Sequence, residues 1–136
     1  MTNLDLERLQ RRLRAARGEI EVDLVIGGGL LGNVYTGEWL RQDIALYDGV
    51  IVGVGDYPGP RVEVPGCYVL PGFIDGHSHL ESSMLTPLEF SYEAVKWGTT
   101  SVFVDPHEIA NVLGRKGVEL FLEQAEIAPL TMNGMT

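Results

Sequence analysis

Pro71-Gly72-Phe73-Ile74-Asp75-Gly76-His77-Ser78-His79-Leu80-Glu81 is the stretch on which the reading of this chain turns. A short apolar run over residues 73–75 predicts a buried strand, and two histidines spaced i, i+2 follow it. Alternate residues of a strand point to the same face, so His77 and His79 project to one side. Two imidazoles on one face, where a strand ends and the backbone opens, can grip a divalent cation from two directions. The spacing by itself equally suits two ordinary polar residues in a loop.

Working outward, residues 99–104, Thr-Thr-Ser-Val-Phe-Val, are β-branched and apolar and predict a second buried strand. It runs into Asp105-Pro106-His107-Glu108, where the proline forbids further pairing. A helix is predicted between the strands. Thr86 can cap it, Pro87 suits its first position, and Glu89 completes a Thr-x-x-Glu box. Phe90, Ala94 and Trp97 form an expected apolar stripe, and Gly98 a stop. The order strand, helix, strand places His and acidic clusters after both strands, the end at which parallel α/β folds build sites.

The blocks His77-Ser78-His79-Leu80-Glu81-Ser82-Ser83-Met84 and Asp105-Pro106-His107-Glu108-Ile109-Ala110-Asn111-Val112 resemble those of the adenine deaminases of the amidohydrolase superfamily. Pro71-Gly72-Phe73-Ile74-Asp75-Gly76-His77 points only to the superfamily, whereas the two longer blocks point to the deaminases. The likeness runs from about Asp23 to about Leu122 and fades over residues 127–136.

The chain has 136 residues, room for one modest domain, and 45% apolar residues, enough for a packed core. A formal charge of −9 argues against nucleic acid or an anionic membrane as partner, since both need positive patches. Arg8, Arg11, Arg12, Arg14 and Arg17 crowd the first segment and are read as a solvated helix face. One cysteine, Cys67, excludes an internal disulfide and fits a reducing compartment. No apolar stretch approaches the roughly 18 residues of a membrane span, and no secretory signal is apparent. The expected location is the cytoplasm.

Residues 1–18 are expected to hold an amphipathic helix with Leu6, Leu9 and Leu13 at helical spacing. Residues 19–70 are expected to form part of a small β-sandwich-like domain. There Val22, Leu24 and Ile26 alternate, and Asp48-Gly49 joins Ile44 and Leu46 to Val50, Val52 and Val54 in a hairpin. Gly27-Gly28-Gly29-Leu30-Leu31-Gly32 formally satisfies Gly-x-Gly-x-x-Gly, but no helix pattern follows it, so a turn between strands is read instead of a dinucleotide site. The resemblance implies that residues 71–136 start a metal-dependent hydrolase TIM-like barrel. A helical stretch with Val118, Leu122 and Ala125 on one stripe, broadened by Leu120 and Phe121, follows the Asp-Pro-His cluster, and an apolar run over 127–132 opens a third strand. The fold class is α/β, with two βα units of a barrel that needs about 250 residues and eight units, and so remains incomplete.

The resemblance implies one or two divalent metals (Mn, Fe or Zn, with Mn favoured) that lower the pKa of water at the site. It places His77 and His79 as metal ligands. Glu81, Asp105, His107 and Glu108 are candidates for a further metal shell, for orienting a ligand imidazole, or for touching substrate. Asp105 also suits a turn cap and Glu108 a helix start. The remaining catalytic groups are expected beyond Thr136. The implied substrate is the purine adenine, hydrolysed to hypoxanthine and ammonia, with a homo-oligomer left open. Two alternatives stand beside this: another amidohydrolase acting on a cyclic amide, or a truncated non-enzymatic remnant binding metal or a partner.

Overall fold

In a computed structural model of the chain, residues 3–134 are described, and the chain divides into two units, Met1–Leu70 and Pro71–Thr136. The first unit opens with helix α1 (Asn3–Ala16), followed by β1 (Leu24–Gly27), β2 (Leu30–Asn33), β3 (Glu38–Leu40), β4 (Ile44–Tyr47), β5 (Val50–Val54), β6 (Arg61–Glu63) and β7 (Tyr68–Val69). These strands form two sheets, ordered β5-β4-β1-β6 and β3-β2-β7. The β4–β5 hairpin turns at Asp48-Gly49, both with positive φ (53° and 73°), as a two-residue primed turn requires.

Three expectations for this unit change. The leucine stripe of α1 is not its buried face: Leu6, Leu9 and Leu13 stay 42–47% exposed, and Ala15 enters the core instead. In β1 the inward residue is Val25, packed with Ala15, Val22 and Ala45, while Leu24 and Ile26 face the less covered side. The arginines are not simply solvated. Arg8 and Arg12 pair with the Asp48 carboxylate, the Arg12 guanidinium also donates to the Asp48 carbonyl, and the Asp48 N–H donates to Asp23. The helix is thus tied to the hairpin turn by charge-assisted bonds. The glycine run continues into β2 without a helix, in keeping with a turn.

The second unit contains β8 (Phe73–Ser78), a 3-10 turn (Leu80–Ser83), α2 (Pro87–Val95), β9 (Thr99–Val104), α3 (His107–Leu113), α4 (Arg115–Ile127) and β10 (Thr131–Gly134). Its sheet is parallel and three-stranded, ordered β10-β9-β8, an open sheet and not a closed barrel. Thr86 caps α2 by accepting from the Glu89 N–H at 3.3 Å, and Gly98 ends the turn after it at φ 89°. Leu80, Val102, Val104, Phe121 and Leu130 form the buried cluster, with Phe90, Ala94 and Ile109 against it.

Here too the structure corrects the reading. Trp97 leaves the α2 stripe and is 82% exposed. The strand at 73–75 is not buried: Phe73 and Ile74 are exposed, because β8 has a neighbour on one side only. The helical stretch after the Asp-Pro-His cluster is two helices, broken at Gly114. A Cβ at Gly117 would lie 2.8 Å from the Ile109 carbonyl oxygen, so the close approach of α3 and α4 requires a glycine there. The buried face of α4 is Gly117 and Phe121, whereas Leu122 points outward. The third strand starts at Thr131, since Ile127 still belongs to α4.

Candidate metal centre

The carboxyl ends of β8 and β9 lie side by side, with Ser78 paired to Val104. His77 is the penultimate residue of β8 and His79 follows the strand, while Asp105 follows β9 and His107 begins α3. The Asp75 carboxylate accepts from the His77 N–H at 3.1 Å, and the pairing of β8 with β9 shifts register between Asp75 and Ser78. The Nε2 atoms of His77 and His79 stand 3.0 Å apart with rings edge to face.

His107 stacks edge to face on the other side of His79, at 4.8 Å between ring centres. Asp105 reaches both histidines: its carboxylate lies 3.2 Å from His107 Nδ1, and its carbonyl oxygen 3.3 Å from His79 Nδ1. A Nδ1–H held in this way leaves Nε2 free to act as a ligand. His79, His107 and Glu108 each offer one donor atom, all within 4.8 Å of one another. Donors bound to one ion at about 2.0–2.2 Å can be at most about 4.4 Å apart. A small side-chain rotation would close the difference.

The other acidic groups act differently. Glu81 turns from the strand end towards α3 and accepts the Ile109 N–H at 3.1 Å, so it caps that helix from a distant turn. Its second oxygen is sealed from solvent with no hydrogen-bond partner among the described residues. Glu108 accepts from the Ser82 hydroxyl at 3.1 and 3.4 Å. Among the described residues, no Lys or Arg pairs with Asp75, Glu81, Asp105 or Glu108. Among the described residues the donors that come together are those of His79, His107 and Glu108, two imidazoles and a carboxylate of the types that bind a divalent cation. His77 lies outside that set, its Nε2 3.0 Å from that of His79.

Ser82 and Asp75 are contributors that sequence reasoning missed. Ser82 stands in the Glu-Ser-Ser-Met block, but nothing in a linear pattern shows that its hydroxyl meets a carboxylate on another loop. Asp75 reads as part of the strand, although an Asp two residues before a ligand candidate is a local signal for a side-chain-to-backbone hydrogen bond.

The sequence signature of the Amidohydrolase family matches residues 68–136. The chain is 48% identical over 133 residues to the adenine deaminase of Bacillus subtilis, covering 97% of this chain and 23% of that protein. It is 47% identical over 128 residues to the adenine deaminase of Methanococcoides burtonii, covering 90% of this chain and 22% of that protein. The chain therefore spans under a quarter of the length of these relatives. Among solved structures it is similar to the N-acyl-D-glutamate deacylase of Bordetella bronchiseptica, complexed with zinc and a phosphonate inhibitor. That likeness has a TM-score of 0.50 and 27% identity, covering 62% of this chain and 19% of that one. It also resembles a prolidase complexed with N-methylphosphonate-L-proline at TM-score 0.51 and 20% identity, over 82% of this chain and 31% of that one, a likeness of fold alone. With its second half matching the family signature, the chain belongs to the amidohydrolase family, a family of hydrolases.

Proposed function

We propose that this chain is the N-terminal portion of a metal-dependent adenine deaminase, which converts adenine and water to hypoxanthine and ammonia. The observation that carries the reading is the convergence of His79, His107 and Glu108, with His77 beside His79, at the carboxyl ends of two adjacent parallel strands. It occurs in a chain 48% identical to an adenine deaminase.

His77 and His79 are the proposed ligands. A divalent metal held there supplies Lewis acidity and, at neutral pH, a water acidic enough to be a nucleophile. Manganese is the favoured ion, with iron and zinc as the others. Asp105 keeps the His79 and His107 rings oriented, and Glu108 adds negative charge beside them. The purine pocket and the group that carries the proton from water to the departing amino nitrogen are assigned to the protein beyond residue 136. Purine salvage in the cytoplasm is the proposed setting. No helix among the described residues is long and apolar enough to cross a membrane.

The test combines metal content with product. In the complete protein, His77→Ala together with His79→Ala should remove stoichiometric metal and abolish ammonia release from adenine. Undiminished metal would refute the ligand assignment. Residues 1–136 alone, loaded with Mn2+, should release no ammonia from adenine; release that is lost on His77→Ala would overturn the division of labour.

A further inference from the structure

We infer that Ser82 is a positioning residue for the metal centre, acting through Glu108; this rests on the metal reading above. The turn after β8 and the start of α3 are separate in sequence but joined by three cross-links. The His79 ring meets the Asp105 carbonyl, Glu81 accepts the Ile109 N–H, and the Ser82 hydroxyl donates to Glu108. The first two hold backbone, and Glu81 does so with the oxygen that leaves its partner oxygen orphaned. Ser82 alone acts on a side chain that itself offers a donor atom beside His79 and His107.

Glu108 is half-buried in the first turn of α3 and, among the described residues, has no Lys or Arg partner. Its carboxylate would otherwise rotate among solvated rotamers, each losing some of the charge facing the histidines. The serine hydroxyl lies within hydrogen-bonding range of both carboxylate oxygens, at 3.1 and 3.4 Å. It therefore limits rotation while leaving the remaining lone pairs available to an ion. Hydrogen bonds of this outer kind orient ligands and tune their affinity.

The experiment is Mn2+ titration of the chelator-stripped full chain by calorimetry, with activity as a second readout. Ser82→Ala should weaken Mn2+ binding about three- to tenfold, as expected for one exposed hydrogen bond to a charged group. Ser82→Thr, which keeps the hydroxyl, should restore it. In the Glu108→Gln background, Ser82→Ala should cost no further affinity, because the residue acts through that carboxylate. Unchanged affinity in Ser82→Ala, a Thr variant as weak as Ala, or losses that add fully in the double variant would each overturn the inference. If such a result comes while the His77→Ala, His79→Ala variant has lost its metal, only the role of Ser82 falls. If that histidine variant binds Mn2+ like the parent, the metal reading falls and takes this inference with it.

Discussion

Leu80 sits between the proposed ligand His79 and the helix-capping Glu81, and is fully buried against Val102, Val104, Phe121 and Leu130. Leu80→Ala removes three buried carbons, about 2.4 kcal/mol at about 0.8 kcal/mol for each methylene-sized group. A cavity contribution adds to this, since neighbours collapse only partly, giving about 2.5–4 kcal/mol. Against a usual total of about 5–15 kcal/mol this is a large fraction. The matched control is Leu122→Ala, which removes the same atoms from a side chain 58% exposed and should cost under about 0.5 kcal/mol. Urea denaturation with hydrogen exchange of the β9 amides measures both, the exchange isolating the second unit from the first. Leu80→Ala should also weaken Mn2+ binding, because His79 and Glu81 lose their shared anchor. Equal losses for the two leucines, or a larger one at Leu122, would refute the assignment of the core.

Two further predictions concern the first unit. The hydrogen bond from Arg8 holds the Asp48 carboxyl below its ordinary pKa. A group depressed in the folded state stabilises above its unfolded pKa and loses that contribution as pH falls through the lower folded value. The acid side of a melting-temperature profile should therefore flatten in Asp48→Asn; an unaltered profile would remove Asp48 from the account. A Cβ at Gly53 would lie 2.0 Å from the Tyr57 hydroxyl oxygen, which donates to the Ala16 carbonyl at the end of α1. Gly53→Ala should displace that ring and cost about 1–3 kcal/mol, read by thermal melting; a neutral substitution would contradict the packing.

The sequence was sufficient wherever a local rule governs the outcome. Thr86, Pro87 and Glu89 started α2 because a cap needs only neighbours within one turn. Asp48-Gly49 closed the hairpin because only such residues accept positive φ at low cost. The two blocks of acidic residues and imidazoles after predicted strands stand in the linear sequence. The His-x-His spacing alone does not separate metal ligands from ordinary loop residues, and the resemblance to the deaminases rests on the longer blocks around them. Element bounds failed at Gly114 and Thr131, and several expectations failed in burial. The stripe Leu6, Leu9, Leu13 is amphipathic by period, yet period does not say which face meets a neighbour, and Ala15 took the buried place; on α4 Phe121 is buried while Leu122 of the same stripe is exposed. Phe73 and Ile74 are apolar enough for a barrel interior but stay exposed, since β8 has one neighbour. At the metal centre, the candidate ligand types were present in the sequence as two loops. Only tertiary structure decided that the Asp105 carbonyl would meet the His79 ring, that Glu81 would cap a helix and that Ser82 would hold Glu108. Those contacts join residues some 26 to 28 positions apart, and they form only when parallel pairing of β8 with β9 brings the strand ends together.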